Sequence, residues 1–448
     1  MSKIFKVFLG ISALIFLSLL AACTESSIPA EEPEVVDAVE AENLEEDVEE
    51  YTPEVAENLE EDVEEYTPET LNNELTQDEI TLVVWESEGG PDEFIRQAGA
   101  AFTELHPNIT IDFQHVELTL AGSQIITHGP FGNGADVFAA PHNQIGILDG
   151  HIRPVEDAEI VTSLAMNKAA DAVTIDGTVF GYPVAAETLA LYYNRAMIAT
   201  EDVPVTWEGV VELLQDFESL DGNEDAIAFI MNVMSIYHTI LFTSADDNRL
   251  FGPDGTDANS PNMNTEAAIA GMELFQSLRQ YIDINAADLD SYMAVNQFIN
   301  GNAAMLINGP WNIATFNEEG IDFGVTVLPS LPGNDQPASP FFGTRAMFVS
   351  AYTEHPREAH AFATFLMSEE MQVLRYEITG ALPATDITVD VTQLQGFIDQ
   401  LNFAHPMPTI PQMAEFWRLG HSATINIWNG ADVTSELDAL QEGILNQN

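Results

Sequence analysis

A tryptophan at the end of a predicted strand is the residue whose type and position best suit binding chemistry. The segment Gly301-Asn-Ala-Ala-Met-Leu-Ile-Asn-Gly-Pro-Trp311 predicts a short apolar strand over 304–307, a turn and the start of a helix. Pro310 suits the first helical position, because its missing N–H would have no intrahelical partner there. Trp311 then lies at a strand end, where α/β proteins keep their ligands. Its flat ring beside unpaired backbone N–H groups suits an apolar yet hydroxyl-rich ligand, and core packing is the alternative.

Motifs for several other kinds of chemistry do not occur in the sequence. It contains no Gly-x-Ser-x-Gly, no Gly-x-x-x-x-Gly-Lys and no His-Glu-x-x-His. The run 221–225 starts like a calcium loop, but Ala226 stands where that loop needs glycine and Asn232 where it needs glutamate, so a solvated turn is expected. Cys23 is the single cysteine, which excludes an intramolecular disulfide and a cysteine-based metal site. We therefore expect no cofactor, no metal and no catalytic residues.

Strand-like and helix-like segments alternate along the body of the chain, which is long enough for two lobes. Strands are predicted at Ile80–Trp85, Ile109–Phe113, Asp136–Ala139 and Val179–Val184, and helices at Phe94–Leu105 and, entered through Thr206, at Trp207–Leu220. Such alternation predicts an α/β fold of parallel sheets with helices on both faces.

The N-terminus has the pattern of a lipoprotein signal peptide. Lys3 and Lys6 precede an apolar run over 7–20, which is short for a membrane span and ends in Leu-Ala-Ala-Cys23. Residues 1–22 are therefore predicted to be a signal peptide. The ending also resembles the lipobox of bacterial lipoproteins, which implies a diacylglycerol on Cys23 and a lipid-anchored position on the extracellular face of the cell membrane. A chance buried cysteine is the alternative.

Residues 23–79 are predicted to form a disordered acidic tether. From Thr24 to Glu79 there are 23 Asp and Glu and no Lys, Arg or His. The sequence Ala-Glu-Asn-Leu-Glu-Glu-Asp-Val-Glu-Glu-Tyr-Thr-Pro-Glu occurs at 41–54 and again at 56–69, offset by 15 residues. Such a composition buries too little apolar surface to offset its ordering entropy, and its charges repel one another.

The rest of the chain is also strongly acidic. From Ile80 onward it holds 50 Asp and Glu against ten Lys and Arg, and its only lysine there is Lys168. This balance excludes nucleic acid as a partner, because phosphates need cations to neutralise them. It also disfavours close contact with anionic lipid headgroups. An acid-rich surface suits a saline or alkaline exterior.

Four stretches of the body resemble the maltose/maltodextrin-binding proteins, the extracellular solute-binding subunits of sugar ABC importers. They are Gly177-Thr-Val-Phe-Gly-Tyr-Pro-Val-Ala-Ala-Glu187 through Asn194, Met305-Leu-Ile-Asn-Gly-Pro-Trp311, Phe323-Gly-Val-Thr-Val-Leu-Pro329 and Ile410-Pro-Gln-Met-Ala-Glu-Phe-Trp417. The resemblance spans essentially all of 80–448, in the family's order. The second and fourth stretches are fairly specific to sugar binders.

The resemblance implies a two-lobed periplasmic-binding-protein-like α/β fold with three hinge crossings, near 186–191, 343–347 and 382–389. The N-lobe would comprise 80–187 and 344–388, and the C-lobe 188–343 and 389–448. The implied function is capture of maltose or maltodextrin-type oligosaccharides, with cyclodextrin as an equal candidate, for import by an ABC permease. The protein is expected to be a monomer and not an enzyme.

The resemblance also implies binding residues that suit a pyranose, which needs aromatic platforms for its C–H faces and fixed polar groups for its hydroxyls. Trp311 and Trp417 match stacking positions, and Glu187 matches a carboxylate that hydrogen-bonds sugar. Looser matches in the same site are Asn143, Gln144, Tyr237 and Tyr292. Each has a plain alternative: core packing for Trp417, a hinge salt bridge for Glu187 and ordinary loop positions for the amides.

The chain departs from the family where a tryptophan is common and Ala140 stands instead. Trp85 is expected to be structural, with Glu86 and Glu88 beyond it pointing toward a cleft mouth, and Met407 is a candidate wall residue. The rival function is an extracellular glycoside hydrolase acting on α-glucans. That chemistry needs two carboxylates flanking the scissile bond, and only Glu187 sits in a matched position.

Overall fold

Two mixed β-sheets form the centre of the body. The computed structural model describes residues 75–217, 226–385 and 392–446, which belong to one unit, Glu65–Asn448. The predicted signal peptide, Cys23, most of the predicted tether and the predicted turn at 221–225 lie outside the described residues.

The strands are β1 (Ile80–Glu86), β2 (Ile109–His115), β3 (Val137–Pro141), β4 (Thr174–Ile175), β5 (Thr178–Val179), β6 (Tyr182–Glu187), β7 (Ala190–Asn194), β8 (Ile227–Met231), β9 (Ala303–Asn308), β10 (Phe323–Thr326), β11 (Phe341–Val349) and β12 (His405–Pro406). The first sheet has the order β12-β11-β3-β1-β2, with β6 also paired to β11, and the second has the order β10-β7-β9-β8. Strands β4 and β5 form a separate hairpin.

The helices are α1 (Pro91–Leu105), α2 (Ala121–His128), α3 (Ala158–Leu164), α4 (Asn167–Ala172), α5 (Trp207–Asp216), α6 (Ile236–Thr239), α7 (Glu266–Ser277), α8 (Ser291–Ile299), α9 (Ile313–Glu318), α10 (Pro356–Phe365), α11 (Glu369–Thr379), α12 (Gln395–Leu401), α13 (Met413–Trp428) and α14 (Val433–Leu445). Short 3₁₀ turns include His142–Leu148 after β3 and Pro310–Asn312 after β9. None of the helices within the described ranges is long and apolar enough to span a membrane.

The predicted elements are present, except that the strand predicted at Val179–Val184 is divided between β5 and β6, which lie in different sheets. The sheets are also mixed rather than all parallel. Strand β1 runs parallel to β2 and β3, and β8 runs parallel to β9, as alternation with helices predicts. Strand β11 is antiparallel to β3 and β6, and β7 is antiparallel to β9 and β10. The prediction of parallel sheets was therefore wrong for the strands that link the two halves. These strands enter a sheet directly from the other sheet, without the helical crossover that parallel neighbours need.

One of the predicted crossings, near 186–191, coincides with a change of sheet. The chain leaves the first sheet at Glu187 and enters the second at Ala190, and it leaves the second at Thr326 to join the first at Phe341. The predicted crossing at 343–347 lies within β11. The third, at 382–389, lies partly outside the described residues, between α11, which packs on α1, and α12, which packs on β10. The exact lobe boundaries stay a prediction.

Local chemistry explains the element that begins at Trp207. Thr206 adopts an extended conformation, and its hydroxyl accepts a hydrogen bond from the Gly209 N–H, so it is the N-cap that the sequence predicts. Trp207 itself is fully buried against Phe229 and Phe242. The helix ends at Asp216, before the predicted end, and residues 218–225 lie outside the described ranges.

Candidate ligand-binding site

A cavity of about 590 Å³ is lined by segments that belong to both sheets. Tyr237 and Trp311 follow the carboxyl ends of β8 and β9, which are parallel neighbours in the second sheet. Glu187 ends β6 and Asn143 follows β3, both in the first sheet. Carboxyl ends of strands gather loops and helix starts at one edge, which is where α/β proteins bind ligands. A larger, shallower groove of about 960 Å³ runs past Trp428, but that ring is fully buried and offers no platform.

Trp311 stands at the start of the helical segment that its sequence predicts. Gly309 is the extended residue before the turn and Pro310 occupies the first position, as expected. The Trp311 ring covers Gly309 so closely that a Cβ there would lie 2.0 Å from the ring. The Gly309 carbonyl accepts a 2.7 Å hydrogen bond from the Tyr192 hydroxyl. The ring is thus seated on fixed backbone while 36% of the residue stays exposed.

Three aromatic rings that line the cavity are here called the aromatic wall: Trp311, Tyr237 and Trp417. Tyr237 lies 6.3 Å from Trp311 between ring centroids, and both Tyr237 and Trp417 rest on the buried ring of Phe341, at 6.3 Å and 6.0 Å. Contacts at these distances are the usual range for aromatic pairs. Burial, with the nearby charge of Glu187, raises the pKa of Tyr237, so its hydroxyl stays protonated and can both donate and accept.

The polar residues that line the same cavity are here called the polar wall: Asn143, Gln144, Glu187 and Arg345. Arg345 Nε lies 3.6 Å from Glu187 Oε1, so Glu187 both faces the cavity and takes part in an ion pair. Gln144 Nε2 donates to the Thr119 carbonyl at 3.0 Å, which fixes the amide beside α2. Charged and amide groups held in this way can satisfy ligand hydroxyls without first having to be ordered.

Glu86 differs from its prediction. It is fully buried beneath the polar wall, and Arg345 Nη1 donates to its Oε1 at 2.8 Å. A carboxylate cannot be buried at low cost without a partner, and no local pattern indicated that Arg345 would be that partner. Glu88 is exposed, as a position near a cleft mouth requires, and Trp85 is buried, as expected of a structural residue.

His142 is a residue that the sequence interpretation missed. Its Nδ1 accepts a 3.0 Å hydrogen bond from the Thr344 N–H, so its Nε2 carries the proton and donates to the Met407 carbonyl at 3.1 Å. Burial lowers its pKa to about 4, so the ring is neutral at physiological pH. Thr344 and Met407 both line the cavity, and the ring therefore ties two cavity segments together. The only available signal was a histidine directly after an apolar strand.

Six of the seven predicted binding residues line this one cavity: Trp311, Trp417, Glu187, Asn143, Gln144 and Tyr237. Met407, the candidate wall residue, lines it as well. Tyr292 does not: it lies in the first turn of α8 and is 79% exposed. Ala140 is fully buried within β3, and the neighbouring Pro141 lines the cavity instead. The binding role of each residue remains a prediction.

A cavity lined by two α/β halves, between which the chain passes more than once, is typical of the class of two-lobed solute receptors. The sequence model of the bacterial extracellular solute-binding proteins matches residues 97–395, and the chain belongs to this family.

The curated relatives and solved structures agree with this assignment. A galactooligosaccharide-binding protein of Bacillus subtilis (strain 168) is 29% identical, over 81% of this chain and 88% of its own length. A maltodextrin-binding protein of the same organism is 28% identical, over 70% and 77%. A crystal structure of a cyclo/maltodextrin-binding protein complexed with maltotetraose superposes with a TM-score of 0.69 at 26% identity, covering 83% of this chain and 97% of that one.

Proposed function

We propose that this protein is a lipid-anchored receptor that captures maltose or maltodextrin-type oligosaccharides, linear or cyclic, and presents them to an ABC permease in the membrane. The observation that carries the proposal is the single cavity that both the aromatic wall and the polar wall line. A sugar ring has two apolar faces and a rim of hydroxyls, and its recognition needs both kinds of surface. Relatives named for maltodextrin and for maltooligosaccharide transport support the choice of ligand.

Capture works through closure of the two lobes. The aromatic wall is carried mainly by segments of the second sheet and the polar wall by segments of the first. An open form would offer a ligand two separate half-sites, whereas a closed form contacts it from both sides. Ligand therefore shifts the population toward the closed form, in proportion to its differential affinity. The protein acts as a monomer, and closure needs no cofactor or metal besides the ligand.

Binding proceeds without bond cleavage. Glycoside hydrolysis needs two carboxylates, about 5–5.5 Å apart for retention and farther apart for inversion. Within the described ranges, Glu187 is the only Asp or Glu that lines the cavity. Glu86, the nearest carboxylate through Arg345, is fully buried and engaged by that arginine.

Galactooligosaccharides are the second candidate ligand. The relative with the name galactooligosaccharide-binding protein matches 88% of its length to this chain, at 29% identity. The same walls suit this ligand, because galactosides and glucosides share apolar faces and differ in the direction of hydroxyls.

Isothermal titration of the soluble body with maltose, maltotriose, maltotetraose, a cyclodextrin and a β-galactooligosaccharide tests the proposal. We expect micromolar-range binding of at least one maltodextrin, with quenched or shifted tryptophan fluorescence from Trp311 and Trp417. Heat with the galactooligosaccharide alone would move the assignment to the second candidate. Heat with none of them would remove the sugar assignment. Release of glucose on long incubation would restore the hydrolase interpretation.

The anchor is tested separately in cells. Cys23→Ala should abolish incorporation of labelled fatty acid and release the protein from the membrane fraction. Unchanged membrane association would contradict the lipid anchor and leave the ligand assignment untouched.

A further inference from the structure

Arg345 lies between two carboxylates, in strand β11 of the first sheet. Its Nη1 is 2.8 Å from Glu86 Oε1, and its Nε is 3.6 Å from Glu187 Oε1. The pairing of β11 with β6 shifts register between Arg345 and Ala346, because Val184 of β6 has no partner in β11. Bulges of this kind bend the bulged strand, and they are enriched beside functional sites. The irregular pairing thus lies opposite the residue whose guanidinium reaches both carboxylates.

The two carboxylates differ in their surroundings. The Glu86 side chain is 0% exposed and Oε1 also accepts from the Ser87 N–H at 2.8 Å, so its position is fixed. The Glu187 side chain is 21% exposed and faces the cavity. Burial alone lowers the pKa of Arg345, but the charges of Glu86 and Glu187 raise it above its ordinary value. The guanidinium therefore stays charged and is held by the buried Glu86 carboxylate.

Other charged groups reach the cluster from two sides. Arg375 of α11 is buried, with Nη1 3.8 Å from Glu86 Oε2, and it packs over the Phe94 ring at 5.0 Å. Burial lowers the pKa of Arg375 to about 10, with Glu86 raising it and Arg345 lowering it, so it is cationic at neutral pH. On the aromatic wall, Tyr237 faces Glu187 and stays protonated. The cluster therefore balances two buried arginines against Glu86 and Glu187.

We propose that Arg345 is a positioning residue of the ligand site, which uses the buried Glu86 as an anchor to hold the Glu187 carboxylate in one orientation, toward the cavity. The inference rests on the proposed function, since it concerns how Glu187 is oriented in that same ligand site. A carboxylate held in this way only accepts hydrogen bonds, so it selects ligands that donate from hydroxyls. It also disfavours sugars that carry a carboxylate or phosphate at this place, because like charges repel.

A double-mutant cycle between Arg345 and Glu187 tests the inference. We expect Arg345→Met to weaken maltotetraose binding by about tenfold, and Glu187→Gln to do the same in the parent protein. In the Arg345→Met background, Glu187→Gln should add less than about twofold, because the carboxylate is no longer held. Arg345→Lys, which keeps the charge without the fork of donors, should restore part of the affinity. Arg96→Met, at an exposed ion pair with Asp92, is the matched control and should leave binding unchanged.

Additive losses of affinity would overturn the inference while leaving the proposed function intact. Arg345→Gln serves for the same cycle if the methionine variant does not fold, because it removes the charge and the fork of donors but leaves a polar amide in the buried site. If the parent protein bound no maltodextrin, the proposed function would fail. The cycle would then be measured without ligand, on the midpoint of thermal unfolding. Coupled shifts there would support the contact that holds Glu187, and additive shifts would overturn it.

Discussion

The two walls of the cavity are built on different physical principles. The aromatic wall is held by ring contacts among Trp311, Tyr237 and Trp417 over the buried Phe341, and these contacts have little directional demand. The polar wall is held by hydrogen bonds and ion pairs with defined donors and acceptors, such as Arg345 to Glu86. The first kind of wall tolerates rotation or sliding of a ligand, whereas the second kind fixes its register.

Because of this difference, the two walls are expected to contribute differently to affinity and to specificity. Flat rings gain affinity from apolar area removed from water, whatever the linkage of the sugar. The polar wall gains little net energy from each hydrogen bond but penalises a ligand that leaves Glu187 or an amide unpaired. Affinity should therefore depend most on the aromatic wall, and discrimination between sugars most on the polar wall.

The largest effect is expected from removing a ring. Trp311→Ala should weaken binding of maltotetraose by about a hundredfold, since an anchoring aromatic is typically worth about 2–3 kcal/mol. Titration calorimetry measures the change, and Trp417→Ala should behave similarly. Tyr292→Ala is the control, because that ring is 79% exposed and lies outside the cavity lining. A loss at Tyr292 equal to that at Trp311 would contradict the division between wall and surface.

A smaller effect is expected from the polar wall, with a different signature. Glu187→Gln should cost about tenfold, because a hydrogen bond to a charged acceptor contributes about 1.5–3 kcal/mol and the amide replaces only part of it. The loss should vary between maltotriose and a β-galactooligosaccharide, whereas the loss at Trp311 should be similar for both. Glu88→Gln, at an exposed side chain, is the control. Equal losses for every sugar at Glu187 would show that this carboxylate does not discriminate.

Much of the aromatic wall could be predicted from the sequence. Gly309, Pro310 and Trp311 are local signals, because turn and helix-start chemistry depends on adjacent residues, and the structure confirms each of their positions. The same is true of Thr206 as the cap of α5. A binding role for Trp417 could be predicted only from the resemblance to a family, since a tryptophan inside an amphipathic helix is equally compatible with packing in the hydrophobic core.

The support of the polar wall could not be predicted, for a physical reason. Arg345 and Glu86 are 259 positions apart, and they meet only because β11 lies beside β3, and β3 beside β1. Strand order and register decide this neighbourhood, and periodicity in a single sequence contains neither. His142 was missed for the same reason, because its partners Thr344 and Met407 come from two distant segments. The antiparallel β11 also overturned the expected parallel sheets.

A lesser loss should follow from crowding the aromatic wall from behind. Gly309→Ala places a Cβ 2.0 Å from the Trp311 ring while the backbone, at φ −93°, accepts alanine. The ring must therefore move, and we expect about a fivefold loss of maltotetraose affinity, near 1 kcal/mol. Gly343→Ala is the matched control on the other side of the cavity, because its nearest neighbour would be 3.7 Å away. Equal behaviour of the two variants would mean that the seat of Trp311 does not matter.

The smallest effect is the pH dependence of stability that comes from His142, which lies beside the polar wall. His142 has a pKa lowered to about 4 by burial, against an ordinary value near 6.5, and its neutral ring makes both hydrogen bonds. Below pH 6.5 the unfolded chain binds a proton that the folded protein does not. Stability is therefore lost as the pH falls from about 6.5 toward 4, by at most about 1.4 kcal/mol per pH unit for this group, and the loss levels off below 4.

Urea unfolding at pH 7, 6 and 5 measures this slope. The buried His238, His360 and His405 have lowered pKa values too, so the slope of the parent protein is their joint result. His142→Gln should reduce the change of unfolding free energy with pH by the contribution of this one histidine, whatever its effect on stability at pH 7. The exposed His128→Gln variant should leave that pH dependence unchanged. An identical slope in His142→Gln would mean that this ring is protonated in the folded protein. His142 would then keep only its hydrogen bond to the Met407 carbonyl, because a protonated Nδ1 cannot accept from the Thr344 N–H.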